Sequence, residues 1–172
     1  MISKITLRPI GSIEDQILGE LKRRLKEVFG CEVEAKSQVY NLMLAYELGR
    51  RQYLTETILS NISTPEKGKL VLSLVDVDLY APGLNFVFGE ADISSGVAII
   101  SLWRLRQERY GLPPDRNLFM ERAAKEAIHE LGHLYGLRHC PDSRCIMYFS
   151  NTLLDTDKKQ ASFCPKCREK LK

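Results

Sequence analysis

The three histidines of this 172-residue chain all fall in one eleven-residue stretch, His129-Glu130-Leu131-Gly132-His133-Leu134-Tyr135-Gly136-Leu137-Arg138-His139. No other stretch constrains the fold as much. Residues four apart on a helix are rotated by only about 40° from each other, so His129 and His133 point the same way, one turn apart. Two imidazoles so placed can hold one zinc, each at about 2.0–2.1 Å. Gly136 is a residue type that tolerates the left-handed conformation at a helix end. A sharp turn there brings His139 back to the same metal. Three protein ligands leave a fourth position open, which separates a catalytic zinc from a structural one. Glu130, beside His129, is then set to take the proton of a zinc-bound water whose pKa falls to roughly 7. Phe119, Ala123, Ala127 and Leu131 form an apolar stripe upstream. The pattern predicts a helix from about Asp115 to Tyr135 that seats His129 on a packed scaffold. The alternative is a buried amphipathic helix with incidental histidines, which does not account for the five matched positions.

Four of the five cysteines come late. Cys140 follows His139 directly, four residues separate it from Cys145, and Cys164 and Cys167 enclose only Pro165 and Lys166. Two close pairs joined by an eighteen-residue interval match a four-thiolate zinc site, which is closed and therefore structural. Its binding energy, on the order of 10 kcal/mol, would fold a tail with little core of its own. Two disulfides are the alternative. Met1 to Thr6 shows no charged segment followed by an apolar one, so a secretory leader is not expected and the chain reads as cytoplasmic. Cys31 stands apart and reads as a small buried hydrophobe rather than an inhibitory thiolate on the catalytic zinc.

The rest of the chain reads as α/β. Lys4–Arg8, Cys31–Val39, Leu70–Tyr80, Asn85–Ala91 and Gly96–Leu105 are predicted strands, and residues 13–28 and 50–63 predicted helices. Residues 1–139 are expected to form the catalytic domain, and residues 140–172 a small Cys- and Lys-rich module packed on it. The net charge of +3 supports no nucleic-acid or membrane partner, and no apolar run is long enough to span a bilayer.

The histidine motif resembles that of the metzincin zinc metallopeptidases, and the residues after it resemble one branch, the archaemetzincins. Cys140 follows the third histidine, Cys145 comes after four intervening residues, Met147 completes Cys145-Ile146-Met147, and Cys164 to Cys167 form a late Cys-x-x-Cys. The match covers residues 129–167. The resemblance implies a twisted, mostly parallel mixed sheet with an active-site helix below a horizontal cleft. It also implies a methionine turn at Met147 beneath the metal, and an antiparallel edge strand for substrate, for which Phe86–Glu90 is the candidate. Tyr148 is a candidate oxyanion stabiliser by the same analogy. Two zincs per chain are expected, one catalytic and one structural.

The leading functional expectation is a zinc-dependent peptidase, probed by Glu130→Ala, acting on a peptide or protein substrate as a monomer. The alternative is a non-catalytic zinc-binding regulatory or interaction protein on the same fold, against which the intact Glu130 argues. Nucleic-acid binding through the basic tail (Lys158, Lys159, Lys166, Arg168, Lys170, Lys172) is a third reading. Such a run is ordinarily a solvated face, and only Phe163 offers a stacking ring within it.

Overall fold

Strands rich in Val, Leu and Ile without polar alternation can be buried on both faces only when helices cover both sides of a sheet. The computed structural model, which describes residues 2–171, satisfies that demand. In chain order the elements are β1 (Lys4–Pro9), α1 (Asp15–Phe29), β2 (Glu32–Ala35), β3 (Tyr46–Glu47), β4 (Gln52–Leu54), α2 (Thr55–Ser60), β5 (Lys69–Val75), β6 (Leu79–Tyr80), β7 (Gly89–Asp92), β8 (Val97–Ser101), α3 (Arg116–Leu134), α4 (Leu153–Lys158) and α5 (Pro165–Glu169). The main sheet has the order β2-β1-β5-β8-β7. Its first four strands are parallel, and β7 runs antiparallel to β8 at one edge. Period-two alternation divides the side chains between two cores. Leu70, Leu72 and Leu74 of β5 face α1 and α3, whereas Val71 and Val75 face the side of Ile58 and Leu59 in α2.

Several boundaries differ from those expected. Residues 50–63 are not one helix. Arg51 adopts φ 56°, which closes a β3–β4 hairpin and leaves only Thr55–Ser60 helical. The predicted strand 70–80 is two strands. Asp76 and Asp78 at the break pair with Arg106 and Arg104, and β6 joins β3 and β4 in a second, three-stranded sheet. The edge strand is Gly89–Asp92 rather than Phe86–Glu90, because Val87 instead bridges Leu79 of the small sheet. The second strand shortens to Glu32–Ala35 and the last to Val97–Ser101.

Residues 140–171 have no separate core: Cys145, Ile146, Met147, Phe163 and Cys167 pack into the cluster that α1 and α3 share. No helix among the described residues is long and apolar enough to cross a membrane.

Candidate active site

The active-site helix starts where the local chemistry says it should. Pro113-Pro114 cannot continue a helix, and the Asp115 carboxylate accepts the Leu118 N–H at 2.9 Å as the N-cap. Thereafter α3 is buried nearly all round, including Arg122, Lys125, Glu126, His129 and Glu130. The helix closes at Gly136, with φ 86°, whose N–H donates to His133 O at 2.8 Å while the Leu137 N–H donates to Gly132 O at 3.0 Å. That reversal returns the chain, and the nitrogens of His129, His133 and His139 come within 4.8 Å of one another.

The ring nitrogens report what the trio can hold. His129 Nδ1 lies 2.8 Å from Ile146 O, and His133 Nδ1 lies 2.8 Å from Leu137 O. A carbonyl only accepts, so each Nδ1 carries the proton and each Nε2 presents a lone pair. Those two Nε2 atoms face each other at 3.1 Å. Two lone pairs at that distance call for a cation between them, and the spacing suits an edge of a tetrahedron with about 2.0–2.1 Å bonds. Burial, the largest cause in each case, pushes all three imidazoles below their usual pKa and keeps them neutral as ligands. For His129 the positive charge of Lys159 adds to it.

Glu130 lies beside this trio in a cleft of about 330 Å³. One wall is the segment Gly83–Gly89, the floor is Glu126, His129 and Glu130, and the other wall is Phe149–Asn151. Burial pushes the Glu130 carboxyl well above the usual range, with Glu126 and Glu90 adding to the effect and Lys159 opposing it. Gly89 of β7 lies directly on Glu130. A Cβ there would sit 2.7 Å from Glu130 Cγ and 2.7 Å from the Ile99 carbonyl. Met147 lies under the motif: it is fully buried, and a Cβ on Gly132 would run into its sulfur. The loop is tied by Cys140 N–H to Met147 O at 2.9 Å and Tyr148 N–H to Cys145 O at 2.9 Å. Tyr148 is half-buried and outside the cleft lining. Its neighbour Phe149 stands there instead, with its ring 4.9 Å from that of His139.

The late cysteines also converge. The sulfurs of Cys140, Cys145, Cys164 and Cys167 lie within 4.8 Å of one another. Cys140 and Cys164 are 3.8 Å apart, far beyond an S–S bond and close to the edge of a tetrahedron with about 2.3 Å Zn–S bonds. Cys31 is buried in the main core as a small hydrophobe and belongs to neither group of ligand atoms.

Sequence reading missed Gly89, Glu126, Phe149 and Lys159. A glycine inside a strand pattern is a known sign of close backbone approach, so Gly89 had a signal. Lys159 had none. Its place in a basic run reads as a solvated face, yet its side chain is 0% exposed and paired with Glu126 at 3.0 Å.

Comparison with known proteins points the same way. The sequence profile of peptidase family M54 matches residues 16–172. An archaemetzincin from Methanocaldococcus jannaschii is 46% identical over 172 residues, which cover 99% of this chain and 94% of that relative. A crystal structure of archaemetzincin from Archaeoglobus fulgidus, complexed with malonate, superposes with TM-score 0.84 at 36% identity, covering 97% of this chain and 99% of that one. The zinc-dependent peptidase of Methanocorpusculum labreanum superposes with TM-score 0.87 at 30% identity, covering 98% of this chain and 100% of the other.

Proposed function

This chain belongs to peptidase family M54, with the archaemetzincins, and is a zinc metallopeptidase; from that premise we propose that His129, His133 and His139 hold the catalytic zinc and that Glu130 is the base that activates water for peptide hydrolysis. The observation that carries the assignment is the pair of opposed Nε2 lone pairs at 3.1 Å, each fixed by a carbonyl behind its ring and flanked by a buried carboxylate in an open cleft. Bound there, zinc supplies Lewis acidity to the scissile carbonyl and makes water acidic enough to be deprotonated near neutral pH.

The remaining work belongs to the chain. Glu130 takes the proton of the attacking water on its carboxylate and delivers it to the leaving nitrogen. Burial raises the affinity of that carboxylate for a proton above that of a solvated one. Gly89 leaves the space that the Glu130 side chain occupies beside β7, which any side chain at that position would invade. β7 is the edge of the main sheet, so an extended peptide can add to it as a further strand above the cleft. The carbonyls of Ile146 and Leu137 orient the imidazoles, as ligating histidines generally require.

The second metal site follows from the same chemistry. Cys140, Cys145, Cys164 and Cys167 would hold a structural zinc, giving two per chain, with residues 140–172 as a methionine turn and zinc module packed on the catalytic part, residues 1–139. Four sulfurs spaced for a metal rather than for disulfides suit a reducing compartment such as the cytoplasm.

The test is Glu130→Ala in the two-metal protein. Native mass spectrometry is expected to show both metals retained, while cleavage of a mixed peptide library falls by about 10²–10⁴-fold. Undiminished cleavage by this variant would remove Glu130 from the mechanism.

A further inference from the structure

Two carboxylates share the floor of the cleft. Glu126 lies one helical turn before Glu130 on α3; they are 3% and 5% exposed, and both line the cleft. Only Glu126 is neutralised by a direct partner. Lys159 Nζ sits 3.0 Å from Glu126 Oε1, and the Thr156 hydroxyl donates to the same oxygen at 3.2 Å. Lys159 is buried along its whole length; its ammonium meets Glu126 as an ion pair and makes no well-formed hydrogen bond with any described residue. A lysine ordinarily lays its methylenes on apolar surface and keeps its charge in water. This one carries its charge to a single carboxylate.

Resting on the peptidase reading above, we propose that Lys159 is a positioning residue of the catalytic centre: it neutralises Glu126 and so leaves Glu130 as the one working carboxylate. The physical reason is repulsion. Like charges one turn apart on a helix repel, and more strongly away from water. Without Lys159 the two carboxylates drive each other apart. Glu130 packs so closely on Gly89 of β7 that a Cβ there would sit 2.7 Å from its Cγ, so the expected response to that repulsion is a turn of Glu130 away from its working position. The peptide segment that carries Lys159 is tied at both ends. α4 precedes it, the following Gln160 N–H donates to Arg144 O at 2.8 Å, and Cys164 enters the sulfur cluster. The four-cysteine module thereby holds a charge under the cleft as well as folding the tail.

The experiment is a charge-removal pair in the metal-loaded protein. Lys159→Met keeps the length and apolar stem. It is expected to lower kcat/KM about 100-fold, chiefly through kcat, with metal content unchanged. Adding Glu126→Gln removes the charge that Lys159 neutralised, and the double variant is expected to return to within about tenfold of the parent. The melting temperature of the same metal-loaded proteins is read in parallel, where the double variant again recovers. Lys159→Met with parental turnover overturns the proposal. So does a double variant that recovers its melting temperature but not its kcat, which would make the pair purely structural. If Lys159→Met does not fold, the double variant alone decides: folded and active supports the role, folded and inactive overturns it. A parental chain that cuts no peptide fails on its own before any variant is compared. That outcome sinks the peptidase reading, and the catalytic role of Lys159 with it.

Discussion

At the scale of single residues, glycine sets the tightest tolerances in the site. Gly89 is required by its neighbours: a methyl group there meets Glu130 Cγ and the Ile99 carbonyl, both at 2.7 Å, and backbone does not move aside cheaply. Gly89→Ala is expected to cost about 1–3 kcal/mol of stability through overpacking. It should also depress kcat while both metals remain bound, as thermal denaturation, steady-state kinetics and metal analysis would show. At Gly132 the obstacle is the Met147 sulfur, the end of a flexible side chain, with Phe163 next at 3.2 Å. Gly132→Ala and Met147→Ala should therefore be non-additive. The second substitution removes the obstacle that the first collides with, so the double variant should lose less stability than the sum of the singles by roughly 1 kcal/mol.

At the scale of elements, α3 and α4 are joined by polar contacts that an apolar stripe does not announce. Arg122 grips Asp157 with two bonds of 2.7 Å, and Lys125 Nζ reaches the carbonyls of Thr156 and Asp157 at 3.1 and 3.2 Å, where the end of α4 concentrates negative charge. The start of α4 carries a capping box, Thr152 with Asp155. The two ends differ in what their loss should cost. Asp157→Ala leaves a buried guanidinium without its partner. It should cost about 2–3 kcal/mol, below the fully buried range because Asp157 is 26% exposed. Thr152→Ala removes one surface cap and should cost about 1 kcal/mol. Urea unfolding of the two variants separates them, and equal losses would mean that α4 is not held through its polar face.

At the scale of the whole molecule, the two proposed metal sites are mechanically coupled. His139 and Cys140 are adjacent, and the Ile146 carbonyl that orients His129 lies next to Cys145. Chelation of the cysteine-bound metal should loosen residues 140–171 and reach the first site through Ile146. Hydrogen exchange on the stripped protein is expected to show lost protection across that segment, with β1, β5 and β8 still protected. Uniform protection after complete metal removal would mean that apolar packing alone holds the tail.

What the sequence determined by itself was everything whose partners lie close along the chain. The α3 helix starting near Asp115 and the reversal at Gly136 depend on spacing and local conformational preference, and the three histidines and the four late cysteines meet in two groups as their spacing suggests. The tertiary structure decided what depends on distant neighbours. It split the 70–80 strand between two sheets, moved the edge strand to Gly89–Asp92, put Phe149 rather than Tyr148 beside the histidines, and buried Lys159 under the cleft. The reason is range. A helical period or a turn is settled within a few residues, whereas burying a lysine is tolerable only once Glu126, more than thirty positions away, has been folded against it.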